Sequence, residues 1–265
     1  MMTDSDIAQL ADKIAAARRA KTVIDFLPGA LANGTEDDAY KVQFAVHNRL
    51  VGAGADRIAG WKVASTLPAQ YLPIGLSGPA FAGIYQSGIK ASGVAFPKGT
   101  FVKFGIECEV VAHIGREVPA RATPYDADAI KPFIGALHCG MEVVDNRFAD
   151  LAKADGKCRI ADEFLQGACI VGPAIADWSS IDLATIHGRS SHEGKELAAG
   201  TGANVMGGPL ISLAWLANQL LKHGKTLRAG DVVLTGSTHP PQILGGPGES
   251  VSEFVGIGAT RVTFE

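Results

Sequence analysis

Two glutamates in the segment FVKFGIECEVVAHIG (101–115) are the first residues whose type and spacing suggest chemistry. Alternation predicts a strand whose even-numbered residues are apolar and face the core, with Glu107 and Glu109 on the opposite face. Their side chains would lie about 6.5–7 Å apart and point the same way. Two carboxylates that close resist burial together. The pair therefore indicates either a divalent cation with hard oxygen ligands or the solvated outer face of an edge strand.

A third acid, Glu142, lies in a second β-like run, ALHCGMEVVDN (136–146). Its apolar neighbours predict that the carboxylate is partly buried. Three acids on two apolar strands, with no balancing basic cluster nearby in the sequence, favour a site for Mg²⁺, Mn²⁺ or Ca²⁺ over a solvated surface.

The elements that must position these acids are mainly strands. Three helices are predicted: roughly 4–20, from an N-cap at Thr35 to Gly52, and from Pro209 to Gly224. Short β-like runs fill much of the remainder: 58–65, 101–114, 132–145, 166–172, 180–187, 231–236 and 251–265. The order is not a regular strand–helix alternation, so the fold class is α+β. We expect an N-terminal helical part (1–55) packed on a mainly β catalytic domain (56–265).

Composition narrows the class of protein further. The 265 residues are 47% hydrophobic and 19% charged with a net charge of −3, which argues against nucleic acid or an anionic membrane as a partner. The start of the chain is not typical of a signal peptide, and the four widely spaced cysteines predict reduced, buried thiols in a cytoplasmic protein. The glycine-rich stretches 200–208 and 245–250 fit neither phosphate-loop nor dinucleotide spacing and are interpreted as turns.

Several motifs, in order along the chain, carry a family resemblance: DAYKVQ (38–43), GWKVAST (60–66), IECEVVAHIG (106–115), MEVVDNRF (141–148) and GGPLISLAWLANQLLKHGKTLRAGDVVLTGS (207–237). The chain resembles the 2-keto-4-pentenoate hydratase and 2-oxo acid decarboxylase branch of the fumarylacetoacetate hydrolase superfamily. The resemblance implies a β-rich roll of the fumarylacetoacetase C-terminal type with an N-terminal helical appendage.

The resemblance also implies roles for individual residues. Glu107, Glu109 and Glu142 would hold Mg²⁺ or Mn²⁺. Lys62 would contact the substrate or the catalytic water, and Ser237 would line the substrate end of the pocket. The family forms oligomers, so a homo-oligomer is expected, and a complex with a related enzyme is possible.

The pattern departs from the family at two places. Ala80 stands where the family commonly has an aspartate of a Pro-Asp-Phe motif. The stretch 161–167 reads Ala-Asp-Glu-Phe-Leu-Gln-Gly, so Asp162 is kept but bulkier residues replace small polar ones at 163–166. Asp162, Glu163 and His239 are the candidates for the acid or base that the missing aspartate leaves open.

The predicted function is a lyase of the hydratase type that acts on a small 2-oxo or 2-hydroxydienoic acid. A divalent cation would act as a Lewis acid that stabilises an enolate, the species common to hydration, decarboxylation and C–C hydrolysis. The alternatives are a 2-oxo acid decarboxylase, an acylpyruvate hydrolase, or a degenerate subunit that serves as a partner.

Overall fold

The fold combines short helices with two β-sheets. A computed structural model describes residues 2–52 and 56–265. The α-helices are α1 Asp4–Ala20, α2 Leu27–Ala30, α3 Glu36–Val51, α4 Pro68–Tyr71, α5 Ala127–Ile130, α6 Gly156–Ala161 and α7 Pro209–Lys222. The strands are β1 Ile58–Ala64, β2 Ala80–Tyr85, β3 Ile89–Ala91, β4 Val94–Phe96, β5 Phe104–Ile114, β6 Ile134–Asp145, β7 Gln166–Ala174, β8 His187–His192, β9 Lys195–Thr201, β10 Val232–Ser237, β11 Gln242–Ile243, β12 Gly248–Phe254 and β13 Gly258–Phe264.

The three predicted helices are present, and their ends follow from capping chemistry. The hydroxyls of Thr3 and Thr35 each accept a hydrogen bond from the backbone N–H three residues later. The aspartate at that later position accepts a hydrogen bond from the backbone N–H of the threonine. The third long helix begins at Pro209, whose missing N–H costs nothing in the first turn.

The larger sheet carries the predicted acidic strands at its centre. Its order is β2-β1-β10-β5-β6-β7-β3, and β11 pairs with the first residues of β5. β5 and β6 are the longest strands, and they pair antiparallel from Phe104 opposite Asp145 to Ile114 opposite Ile134. The even-numbered face of β5 meets the core as alternation predicts, since Ile106, Cys108 and Val110 are at most 1% exposed.

The smaller sheet, in the order β4-β13-β12-β8-β9, packs across β5, β6 and β7. Thr260 of β13 donates a hydrogen bond to the carbonyl of Cys139 on β6, which ties the two sheets together. The four cysteines are buried and unbridged. The fold is therefore the mixed α and β arrangement with a curled sheet that the sequence predicts.

One predicted strand, 180–187, is wrong. Its apolar residues Leu183 and Ile186 are buried, but they belong to a turn. Asp182 stabilises this turn, because its carboxylate accepts from the N–H of Ala184 and its carbonyl accepts from the hydroxyl of Thr185. The strand begins only at His187. The hairpin β8–β9 was missed because its residues are largely polar and half exposed, so alternation gives no signal.

The N-terminal helices pack on the sheets around their own apolar cluster, which joins Leu10 and Ile14 of α1 to Val144, Phe148 and Cys158 of the body. The proposed boundary between 1–55 and 56–265 stays a prediction, and residues 53–55 lie outside the described residues. Within 2–52 and 56–265, no helix has the length and apolar character needed to cross a membrane.

Candidate active site

The pairing of β5 with β6 brings the three predicted acids together. Glu107 lies directly opposite Glu142, and Glu109 lies opposite Gly140, one pair further along the same face. One carboxylate oxygen from each of Glu107, Glu109 and Glu142 lies within 4.8 Å of the other two. Glu109 and Glu142 are 1% exposed and Glu107 is partly exposed. The convergence that the sequence analysis required is present.

The surroundings of Glu107 and Glu109 disfavour the ionised form of their carboxyl groups. Burial, followed by the charge of Glu142, raises the pKa of Glu107 to about 8. Burial and the charges of Glu142 and Glu107 raise the pKa of Glu109 well above its usual range. Glu142 Oε2 is buried and has no hydrogen-bond partner among the described residues. A carboxylate oxygen left in that state costs free energy unless a cation or donor is supplied.

Lys62 is the cation that faces this cluster. Its Nζ donates to Glu142 Oε1 at 2.7 Å and to the carbonyl oxygen of Phe164 at 2.9 Å. Burial alone would lower the pKa of Lys62, but the charges of Glu142 and Glu107 outweigh it, so the pKa is raised. The ammonium is therefore fixed as a donor at the edge of the cluster, and its contact with substrate or water stays a prediction.

The carbonyl that accepts from Lys62 belongs to a strained turn. Glu163, Phe164 and Leu165 all have positive φ, at 57°, 47° and 65°, a conformation that costs roughly 1–2 kcal/mol for each non-glycine residue. The buried Glu163 carboxylate fixes one end of this turn, because it accepts from the N–H of Gly83 and from the hydroxyl of Tyr85. The altered stretch 163–166 thus has a structural task in orienting Lys62.

Glu163 itself faces away from the acidic cluster. Its Oε1 lies 2.8 Å from His47 Nε2 of α3. Burial would raise the pKa of Glu163, but His47 and Arg18 outweigh it and hold that pKa below its usual value. Among the base candidates, Glu163 is therefore an ionised group engaged with its neighbours.

Ser237 ends β10 opposite Glu109, where the sheet register shifts. The preceding Gly236 donates its N–H to Glu109 Oε2 at 2.8 Å. Gly236 has φ of 115°, and an added Cβ would lie 2.6 Å from Thr66 Cγ2, so only glycine fits there. The Ser237 hydroxyl donates to the carbonyl of His239 at 2.6 Å while the side chain lines the cavity.

The imidazole of His239 is directed toward the smaller sheet. Its Nδ1 lies 2.9 Å from the carbonyl of Pro240, so Nδ1 carries the proton and Nε2 accepts from the hydroxyl of Ser190 at 2.9 Å. Burial lowers the pKa of His239, which favours the neutral ring. The structure does not bring this ring to the cavity.

A cavity of about 270 Å³ opens beside the acids. Its lining includes the predicted site residues Lys62, Glu107, Glu109 and Ser237. Other lining residues are Val144, Leu151, Arg159, Phe164, Leu165, Pro240 and Pro241. That volume lies just under the range for sites that take drug-sized ligands, which suits a small acid. Arg159 was missed by the sequence analysis, because nothing in its spacing linked it to the acids.

Asp162 lies outside this cavity. Its carboxylate is fully buried and accepts from Arg18 Nη1 and Arg147 Nε, each at 3.0 Å. Arg147 also donates to Asp145 at 2.9 Å. The structure therefore brings together five of the six predicted site residues and places Asp162 in a separate ion-pair network. A catalytic role for Asp162 stays a prediction. Ala80 is a buried residue at the start of β2 and does not line the cavity.

The three glutamates fit a hard divalent cation on the evidence of their own geometry. They offer clustered oxygens; among residues 2–52 and 56–265, one of these oxygens has no partner and Lys62 alone is bonded to the cluster as a cation. Such oxygen-only sets match Mg²⁺, Mn²⁺ or Ca²⁺.

Comparison with known proteins agrees with the site. The family model described as fumarylacetoacetate (FAA) hydrolase C-terminal matches residues 67–265, and the chain belongs to this family. The chain is 29% identical over 266 residues to a 2-keto-4-pentenoate hydratase from Burkholderia vietnamiensis, with 100% of this chain and 99% of the relative covered. It is 26% identical over 245 residues to a 4-oxalocrotonate decarboxylase from Pseudomonas putida, covering 86% of this chain and 84% of the relative.

A solved structure shares the whole fold. A 4-oxalocrotonate decarboxylase from Pseudomonas putida G7, complexed with magnesium and adipate, superposes with a TM-score of 0.92 at 23% identity, covering 100% of this chain and 99% of that one. The similarity includes the N-terminal helices, so the predicted β-rich fold with a helical appendage is confirmed.

Proposed function

We propose that this protein is a divalent-metal-dependent lyase that acts on a small 2-oxo or 2-hydroxydienoic acid. The observation that carries the proposal is the convergence of Glu107, Glu109 and Glu142 within 4.8 Å, with Lys62 bonded to one of them, beside a small cavity. The hydratases and the decarboxylase among the relatives support the same class of reaction.

The three glutamates would hold Mg²⁺ or Mn²⁺. Bound there, the cation would supply Lewis acidity, which hydration, decarboxylation and C–C hydrolysis of such acids can all use. Relatives of known structure are complexed with magnesium or calcium.

The side chains of this chain bind and orient the substrate. The Lys62 ammonium, held by Glu142 and the Phe164 carbonyl, is positioned to donate a hydrogen bond to a substrate carboxylate or to water in the cavity. The Ser237 hydroxyl offers a second contact on the wall next to Glu109. Pro240 and Pro241 form an exposed part of the cavity wall, and Phe164 and Leu165 form a buried part.

Hydration is the first reaction to test, with decarboxylation of a 2-oxo acid or hydrolysis of an acylpyruvate as the alternatives. The purified protein should be incubated with Mg²⁺ and a panel of 2-hydroxy-2,4-dienoates, 2-oxo-3-enedioates and acylpyruvates. Mass spectrometry separates a product that has gained one water from one that has lost CO₂ or been cleaved. Calorimetric titration with Mn²⁺ is run in parallel. Absence of metal binding would contradict the proposal and favour a degenerate partner subunit.

Assembly is a separate proposal. A homo-oligomer, and a complex with a related enzyme, follow from the family resemblance. Light scattering of the purified protein tests the first, and co-purification with a candidate partner enzyme tests the second.

A further inference from the structure

Arg159 lies on the wall of the candidate active-site cavity without an acidic partner. Its Nε donates to the carbonyl of Ala154 at 2.9 Å and its Nη2 donates to the carbonyl of Leu151 at 3.2 Å. Within the described ranges, no carboxylate lies within 4 Å of its guanidinium. A guanidinium has five N–H donors, so three remain for a ligand.

The other arginines that are buried in this protein are treated differently. Arg18 and Arg147 both bond directly to the Asp162 carboxylate, and Arg147 bonds to Asp145 as well. Arg159 is half-buried, and burial lowers its pKa although the charge of Asp155 partly opposes this effect. A cation that is kept partly out of water and has no carboxylate bonded to it can receive an anionic group.

Two kinds of charged group line the cavity. One consists of Glu107, Glu109 and Lys62, and the other is the guanidinium of Arg159. Val144, Leu151 and Leu165 are among the apolar residues that line the same cavity. A ligand with an anionic group at each end of a short carbon chain would match this combination of groups.

We propose that Arg159 binds the distal carboxylate of the substrate, so that the site selects a 2-oxo dicarboxylic acid over a monocarboxylic one. This inference rests on the proposed function, which places the 2-oxo acid end of the substrate at the glutamate cluster. The guanidinium fork binds a carboxylate through two parallel hydrogen bonds, whereas an alkyl or alkenyl end would leave those donors unpaired.

The experiment uses two unreactive ligands of equal length, 2-oxoadipate and 2-oxohexanoate, in calorimetric titrations of the Mg²⁺-loaded protein. Both present the same 2-oxo acid end, and only the first carries a distal carboxylate. We expect 2-oxoadipate to bind at least about tenfold more tightly, a factor that corresponds to ~1.4 kcal/mol. A ratio near one in the wild-type protein would overturn the inference without the need for any variant.

Arg159→Gln then tests whether Arg159 causes the preference for 2-oxoadipate. The ratio should fall to within about twofold of one, a residual preference of at most ~0.4 kcal/mol, while 2-oxohexanoate affinity and Mn²⁺ affinity stay as in the wild type. Arg159→Lys keeps the charge without the fork and should retain part of the preference. Arg121→Gln, at an exposed arginine away from the cavity, is the matched control and should keep the full ratio.

The outcomes separate the inference from the proposed function. Equal weakening of both ligands in Arg159→Gln would mean that Arg159 only holds the 151–154 turn, and the inference would be wrong. Failure of both ligands to bind wild-type protein that does bind Mn²⁺ would overturn the proposed function, and the inference with it. Equal binding of both ligands overturns the inference alone.

Discussion

Two groups of buried charges, each with one acid on β6, differ in how their charges are balanced. The arginine–aspartate network consists of Arg18, Arg147, Asp145 and Asp162. Its two positive and two negative groups balance. Each carboxylate of the network is bonded on both oxygens or by more than one donor, since Asp145 also accepts from the backbone N–H groups of Val102 and Lys103.

The glutamate cluster of Glu107, Glu109 and Glu142 is unbalanced. Lys62 is its one cationic partner among the described residues, and Glu142 Oε2 has no donor. Burial raises the pKa values of all three acids, and the charge of Glu142 raises those of Glu107 and Glu109 further. A set of charges that satisfies itself contributes to the fold, whereas a set that lacks a cation is prepared to receive one.

Structural and functional acids occur here in adjacent motifs and differ in how completely they are hydrogen-bonded. Asp162 belongs to a motif that the family resemblance marks, yet its bonds join α1 to the segment after β6. Glu142 and Asp145 lie on the same strand and belong to different groups. Completeness of hydrogen bonding, and not proximity in the sequence, distinguishes the two.

The largest effect is expected from Asp162→Asn, which removes the shared partner of Arg18 and Arg147. We expect a loss of about 3–5 kcal/mol in the free energy of unfolding, the usual cost of breaking a buried ion pair. Chemical denaturation measures it. Mn²⁺ affinity of the folded fraction should be unchanged, because Asp162 does not line the cavity.

Asp128→Asn is the control for Asp162→Asn. Asp128 pairs with Lys131 on the surface with an 88% exposed side chain, so its loss should change stability by less than about 1 kcal/mol. If Asp162→Asn unfolds like the wild type and turns over substrate far more slowly, the catalytic role predicted from the sequence is correct and the structural interpretation is wrong.

The second largest effect is expected in the glutamate cluster. Glu109→Gln removes a proposed ligand charge, and we expect Mn²⁺ affinity and turnover to fall by more than about 100-fold, the upper end of what outer partners of metal ligands contribute. Stability of the metal-free protein should not fall, because repulsion with Glu107 and Glu142 is relieved. Glu117→Gln, at an exposed acid, is the matched control. Unchanged Mn²⁺ binding in Glu109→Gln would remove Glu109 from the metal site.

Much of the glutamate cluster could be predicted from the sequence because it follows from a local rule. Alternation along β5 fixes the face of Glu107 and Glu109, and antiparallel pairing with the next long strand supplies Glu142. The network could not be predicted in this way. Arg18 and Asp162 are 144 residues apart, and nothing in either segment specifies their contact.

The strained turn at 163–165 was also beyond sequence reasoning. Positive φ is usually signalled by glycine or asparagine, and this stretch is Glu-Phe-Leu. Its conformation is imposed from outside, by the bonds of Glu163 to Gly83 and Tyr85. Arg159 was missed for a related reason, since α6 is a six-residue helix whose direction is set by tertiary packing.

A smaller effect should appear when pH is varied without metal. The pKa of Glu107 rises from its usual 4.5 to about 8 on folding, so between those values the folded protein holds a proton that the unfolded chain has lost. Stability of the EDTA-treated protein should therefore decrease as pH rises from about 4.5 to 8 and then level off. We expect a fall in Tm on the order of 2–4 °C, because solvent screens this partly exposed group and ~1 kcal/mol shifts Tm by that amount in a chain of this size.

Saturating Mg²⁺ should raise Tm and flatten this pH profile, since a ligand that binds only the folded state stabilises it. Glu107→Gln should make it shallower without metal, and the raised pKa values of Glu109 and Glu142 account for the slope that remains. Asp162→Asn, in the arginine–aspartate network, is the comparison variant, and its Tm should change with pH as steeply as that of the wild type. A profile that rises with pH across the same window in the EDTA-treated wild type would contradict the assignment of Glu107 to an unbalanced cluster.

The smallest effect is expected from Ser237→Ala, at the edge of the glutamate cluster. The lost hydrogen bond to the His239 carbonyl should cost about 0.5–1.5 kcal/mol of stability, because water or the neighbouring N–H groups satisfy the carbonyl only in part. If Ser237 also contacts substrate, KM should rise more than kcat falls, since a wall hydroxyl binds ground state and transition state alike. Thr238→Val is the matched control, because the Thr238 hydroxyl donates to the Cys108 carbonyl away from the cavity lining. Equal kinetic changes in both variants would assign Ser237 to the turn alone, and the functional acids would then have no partner on β10 except the N–H of Gly236.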